Sequence, residues 1–163
     1  LPGTINIDGR NYSATLLYDI YKNEIIVKHI NKSGHGWFIE LDRNSVKEFT
    51  ITGRLFTNFR GVFHEVLFRS AGLLVVAKRS KLRRVKGNIQ NYIENNEYFL
   101  VSKNNWTRLW GDSSFKKLLR TKEEKEKLKQ FLSVNKIKVR KHRDEELVKV
   151  AGFIDGLLNN AGI

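Results

Sequence analysis

The sequence predicts an α+β fold: an antiparallel β-meander of about ten strands over residues 1–110, followed by two or three C-terminal helices over 111–163 that pack on it. Three observations carry this reading. β-Branched and aromatic residues alternate with polar ones through the first two thirds of the chain, which is the period of a half-buried strand. Turn residues recur about every seven to twelve positions there, and such short links force antiparallel neighbours, because a parallel return needs a long crossover. Past Trp110 the apolar period changes from that of a strand to that of a helix. A meander of this length closes as a barrel or folds over as a sandwich. The helices are too amphipathic to stand alone, and docking on the sheet makes 1–163 a single domain.

In order, the predicted strands are Thr4 to Ile7, Tyr12 to Tyr21, Glu24 to Ile30, Gly36 to Leu41, Val46 to Thr52, Leu55 to Phe59, Val62 to Arg69, Leu73 to Arg79, Tyr98 to Ser102 and Trp106 to Trp110. Asp8-Gly9, Lys22-Asn23, Ser33-Gly34, Asp42-Arg43-Asn44, Gly53, Gly61, Gly72 and Lys103-Asn104-Asn105 separate them as turns. Residues 80–96 show no clear period and read as a long hairpin or loop. Ser113 and Ser114 are candidate caps for a short helix carrying Phe115, Leu118 and Leu119. Thr121-Lys122-Glu123-Glu124 has the pattern of a capping box that opens a second helix, whose apolar face is Leu128, Phe131 and Leu132. A third helix starts near Asp144, where Leu147, Val150, Ala151, Ile154, Leu157 and Leu158 recur at helical spacing.

Charge is segregated along the chain. The net charge is +13, yet residues 78–86 hold six basic side chains and no acid, and residues 113–143 hold twelve against Glu123, Glu124 and Glu126. The remaining body is slightly acidic, so two cationic regions sit on a nearly neutral frame, a distribution that prefers polyanions or anionic interfaces. The segment of Lys78, Arg79, Lys81, Arg83, Arg84 and Lys86 is the first anion-binding candidate, with Arg79, Lys81 and Arg83 on one face if the segment is a continuous strand. Lys138, Arg140, Lys141 and Arg143 form the second. The plainer reading is that these cations guard a strand edge and keep the protein soluble.

Candidate chemistry is sparse. With no cysteine, structural disulfides, thiolate metal sites and a thiol nucleophile are excluded. No phosphate-binding glycine loop, dinucleotide turn, zinc-protease helix or serine-hydrolase elbow occurs. His29, His35, His64 and His142 are scattered, whereas a metal site needs at least three convergent ligands; no metal or cofactor is implied. Glu65 interrupts the apolar run of residues 62–68. Buried, it would have a raised pKa and the makings of a general acid or base; the weightier reading places it on a wet sheet face. His64 and Glu65 are strand neighbours and point to opposite faces. Trp37, Trp106, Trp110, Tyr12, Tyr18, Tyr21, Tyr92 and Tyr98 are numerous enough for a stacking platform, with core and cross-strand packing the commoner use of such residues. Asn11, Asn31 and Asn105 open glycosylation sequons.

The order Leu17 to Tyr21, Glu24 to Val27, Ile39 to Leu41 with Val46 and Phe49, then Phe63 to Leu67, Leu73 to Lys81 and Glu97 to Leu100, resembles an uncharacterised group of exported β-rich proteins common in Bacteroidota. The tail, Phe115 to Leu119, Leu128 to Leu132 and Glu146 to Leu158, fits the same pattern, departing from it at Gly152-Phe153 and Asp155-Gly156, where aromatic residues are common in that group. The resemblance implies a precursor with a signal peptide and placement in the periplasm or at the outer envelope, and it brings no catalytic residue, cofactor or activity. Leu1 in place of an initiator methionine agrees with a removed leader. No apolar run approaches the ~20 residues of a membrane span. The leading expectation is therefore a non-enzymatic exported domain whose basic surface binds an anionic envelope component or partner protein. Alternatives are a nucleic-acid-binding protein using residues 78–86 and the Lys-rich tail, and a glycan or lipid hydrolase with a carboxylate in the sheet.

Overall fold

The computed structural model describes residues 1–103, 105–141 and 143–160. The fold is α+β, with twelve antiparallel strands and three α-helices among the described residues. The strands are β1 (Pro2–Ile7), β2 (Arg10–Asp19), β3 (Glu24–Ile30), β4 (Gly36–Glu40), β5 (Val46–Ile51), β6 (Arg54–Phe59), β7 (Val62–Arg69), β8 (Leu74–Lys78), β9 (Lys81–Lys86), β10 (Ile89–Glu94), β11 (Glu97–Ser102) and β12 (Asn105–Arg108). The helices are α1 (Asp112–Lys116), α2 (Lys122–Val134) and α3 (Asp144–Asn160), with one 3₁₀ turn at Val139–Lys141.

Ten strands hydrogen-bond in the order β12-β11-β8-β7-β6-β5-β1-β2-β3-β4, and β9 and β10 form a separate ribbon. The sheet is open, ending at β4 and β12, so the barrel alternative is corrected. Eight of its strands form two four-stranded meanders, β1–β4 and β5–β8, joined where β5 pairs with β1 rather than with β4, and β11 and β12 continue the sheet beyond β8. Gly3 permits that junction: a Cβ there would stand 2.1 Å from the Thr50 carbonyl oxygen and 2.7 Å from Leu16 Cδ1. Asp8-Gly9, Thr52-Gly53 and Arg60-Gly61 each place two successive residues at positive φ, the backbone of the tight turn that matches strand twist.

By its contacts the chain divides into two compact units, one made of Leu1–Glu65 with Lys78–Asn96 and the other of Val66–Ala77 with the chain from Glu97 onward. The first unit is a curled sheet around Ile5, Leu16, Ile25, Val46, Phe49, Ile51, Phe56 and Phe63. Tyr18 on β2 lies four strands from Phe63 on β7, roughly 19 Å apart in a flat sheet, yet their rings are 6.0 Å apart. A side chain secures the curl where strand pairing does not. Asn23 Oδ1 accepts hydrogen bonds from the Tyr18 hydroxyl at 3.0 Å and the Phe63 N–H at 3.1 Å, and its Nδ2 donates to the Gly61 carbonyl at 3.0 Å. Asn23 has φ 59°, so Asn23→Gly keeps the turn and deletes only these bonds. A loss of about 1–3 kcal/mol is expected, read from the urea midpoint.

In the second unit, Leu73 just before β8, Val75 and Ala77 from β8 and Tyr98 and Leu100 from β11 meet Phe115, Leu128, Leu147, Val150, Ala151 and Ile154 from the helices and Leu119 from the link between α1 and α2. Thr121 and Glu124 form the expected capping box at the start of α2. Helix α1 differs from expectation: its N-cap is Gly111 with no side-chain cap, because the Ser114 hydroxyl instead accepts from the Trp110 N–H. The Tyr98 hydroxyl donates to Asp144 at the start of α3, and Ser70 donates to Asp155 farther along it. Gly152, where the resemblance expects an aromatic residue, faces Phe68, 3.8 Å from where a Cβ would be. Among the described residues no helix is long and apolar enough to cross a membrane.

Candidate functional site

Six cations drawn together in sequence separate in space. Lys78 ends β8 half-buried. The chain leaves strand geometry at Arg79 and Ser80 before re-entering it at Lys81, which breaks the shared face expected for Arg79, Lys81 and Arg83. Arg79 turns inward instead: its Nε lies 2.6 Å from Glu65 Oε2, and its side chain is only 11% exposed. Arg54 grips both oxygens of the same carboxylate, Nε to Oε1 and Nη2 to Oε2, each at 2.6 Å.

Glu65 is therefore not on a wet face. It is 7% exposed and stands opposite Phe56 in the ladder, on the side of β7 that also carries Phe63. Burial alone pushes its carboxyl up; hydrogen bonds from Arg54 and Arg79, and then their charges, outweigh burial and hold it below the usual glutamate range. Such a group is an ionised anchor with its oxygens occupied, the opposite of the proton-bearing carboxyl that burial alone would make. His64 faces away from it, its Nδ1 3.0 Å from the Val62 carbonyl oxygen.

The remaining cations, Lys81, Arg83, Arg84 and Lys86, lie on the β9–β10 ribbon, every residue of which is exposed. None of the four makes an ion pair among the described residues. The register pairs Lys81 with Glu94, Arg83 with Tyr92, Arg84 with Asn91 and Lys86 with Ile89, and paired residues share a side. One face thus carries Lys81, Arg83, Val85 and Tyr92, and Tyr92 meets Tyr21 edge-on at 5.3 Å. The opposite face carries Arg84 and Lys86 beside Leu82, Ile89 and Ile93. These three apolar side chains are 49%, 64% and 39% exposed. Sequence reasoning found the cations and missed the apolar residues between them, although Leu82, Ile89 and Ile93 were available as the signal once residues 80–96 are read as a hairpin.

Lys138, Arg140, Lys141 and Arg143 fall in the other compact unit. Arg143 pairs with Glu146 at 3.2 Å, while Lys138, Arg140 and Lys141 border an open cavity of about 730 Å³. The aromatic residues have varied surroundings. Trp37 stacks on His29, its cross-strand partner, Arg108 lies over Trp110 at 4.2 Å, and Tyr98 is buried. His142 lies outside the described residues, and among those described no three His, Asp or Glu side chains converge as metal ligands. No protein family, curated protein or solved structure matches this chain, so its functional reading rests on the geometry above.

Proposed function

We propose that this chain is a non-enzymatic binding module that docks on an anionic lipid surface through one face of the β9–β10 ribbon. The observation that carries the proposal is the composition of that face, in which Leu82, Ile89 and Ile93 stand exposed beside the unpaired cations Arg84 and Lys86. Folding gains nothing from leaving three aliphatic side chains in water. An anionic headgroup layer answers both halves of the face: phosphates meet the cations, and the aliphatic groups enter the boundary with the acyl chains. A nucleic acid would satisfy only the cations, even though a two-stranded ribbon fits a major groove. The resemblance to exported proteins supports a place for this surface in the cell envelope.

Each cation near an anionic bilayer contributes about 1 kcal/mol. Arg84→Ala combined with Lys86→Ala is therefore expected to weaken binding to phosphatidylglycerol vesicles about thirtyfold, measured by co-sedimentation. Lys81→Ala with Arg83→Ala, on the face that meets Tyr21, should weaken it less than fivefold. Leu82→Ser with Ile93→Ser should remove the part of the binding that survives high salt, since screening acts on the charges alone. Equal affinity for phosphatidylcholine vesicles, or tighter binding to random-sequence duplex DNA, would overturn the proposal, the latter in favour of the nucleic-acid reading.

A further inference from the structure

A second site lies in the helical unit, independent of the ribbon. Helix α2 ends in a Schellman motif: the Ile137 N–H donates to the Leu132 carbonyl and the Lys136 N–H to that of Ser133. This closure brings Leu132 and Ile137 together, as such motifs do, and with Val139 they make the apolar floor of the 730 Å³ cavity. A cavity of that volume is in the range that encloses a drug-sized molecule.

Its rim is cationic. Lys136, Lys138, Arg140 and Lys141 line it and form no ion pair among the described residues. Lys129, also at the rim, pairs with Glu126 at 3.4 Å. The one acid there, Asp112, is occupied: the hydrogen bond from Lys116 Nζ, at 2.7 Å, holds its carboxyl below the usual range against the effect of burial. The stem of Arg140 runs flush along Gly111, where an added Cβ would come within 3.1 Å of Arg140 Cγ. Arg140 is exposed and lines the cavity, the kind of long basic side chain whose stem covers apolar surface while its charge stays in water.

Lys136 supplies a second observation. It takes φ 54° at the position after the helix cap, where glycine is the ordinary residue because a Cβ is disfavoured there. The five other non-glycine residues at positive φ all lie in hairpin turns. A lysine thus stands at a helix end where glycine is the ordinary residue, and it lines the cavity.

From floor, rim and Lys136 together we infer that the cavity binds a single-chain anionic amphiphile, an acyl chain ending in a carboxylate or a phosphate. The chain lies on Leu132, Ile137 and Val139, and the head group sits among the unpaired cations. A free inorganic anion leaves the floor wet, and a neutral amphiphile leaves the cations unanswered.

Isothermal titration of the whole chain with dodecyl phosphate, dodecanoate and dodecyl maltoside, each below its micelle concentration, and with inorganic phosphate tests this. Dodecyl phosphate or dodecanoate should bind at one site per chain, their ratio telling the head group, with the maltoside and inorganic phosphate at least tenfold weaker. Lys138→Glu with Lys141→Glu, both exposed, should lose at least tenfold, and Ser133→Trp should block the groove from its exposed rim. Lys136→Gly should weaken the anionic amphiphile while raising the urea midpoint, a pairing that a purely structural lysine does not produce. Equal binding of inorganic phosphate or of the maltoside overturns the inference, as does indifference to the Lys138/Lys141 double change. Arg84→Ala with Lys86→Ala should leave these titrations unchanged, which separates the failure of this site from the failure of membrane docking.

Discussion

Glu65→Ala is expected to destabilise the protein by about 3–5 kcal/mol, the usual consequence of removing one partner of a buried ion pair. The loss comes chiefly from Arg79, whose side chain is 11% exposed, while the side chain of Arg54 is 49% exposed and can turn to water. Removing Arg79 as well should therefore return part of the loss, and a double-mutant cycle on Glu65 and Arg79 read from urea midpoints measures the coupling. The pH dependence has a definite sign. Because the folded carboxyl titrates below its unfolded value, its contribution is complete above the unfolded glutamate pKa of about 4.3. It is lost as pH falls from there through the lowered folded value. The Glu65→Ala protein should lack this component of acid sensitivity. A variant that kept full stability would remove the structural role assigned to Glu65 and reopen a catalytic one.

What was legible in the sequence follows from where burial writes a pattern. Strands such as β5 bury one face and leave the other half-exposed, so Phe49 and Ile51 stood out against Glu48 and Thr50, whereas Val46 opposes Ile7 only because the ladder bulges beside it. Turn chemistry was equally readable, because Asp8-Gly9 and Gly61 mark backbone that few residues adopt. The β9–β10 ribbon had no period to read, for a physical reason: both of its faces are in water. The pairing of β1 with β5 was hidden because it depends on Gly3 passing close to Leu16 and to Thr50, the latter 47 positions away in the sequence. Glu65 and Arg79 are separated by 14 positions and by a break in strand geometry, so nothing local ties the carboxylate to its partner. The cavity escaped notice because Lys136 occupies the position where a glycine would have signalled the closure that builds its floor.

The second large effect is expected at Phe49, which is 1% exposed at the centre of the first unit. Its ring stacks on Phe56 at 4.7 Å and meets Phe63 and Tyr18 edge-on at 5.1 and 5.2 Å. Phe49→Ala should cost about 3–5 kcal/mol, the transfer of the ring plus the cavity left behind. The aromatic contacts themselves, each about 0.5–1.5 kcal/mol beyond burial, place it towards the upper end. Phe49→Leu keeps most of the volume and should cost markedly less. A second readout is available in Tyr18, whose hydroxyl burial pushes well above its ordinary value, with the Asp19 charge adding to the effect. Stability from Tyr18 is complete below the unfolded tyrosine pKa of about 10 and is lost as pH rises towards the raised folded value. If the curled sheet owes its curvature to this ring cluster, opening it at Phe49 admits water to Tyr18 and lowers its titration point, which absorbance at alkaline pH records. An unchanged Tyr18 titration alongside the stability loss would assign the curl to Asn23 alone, since the bond from the Tyr18 hydroxyl to Asn23 would then hold without its aromatic neighbour.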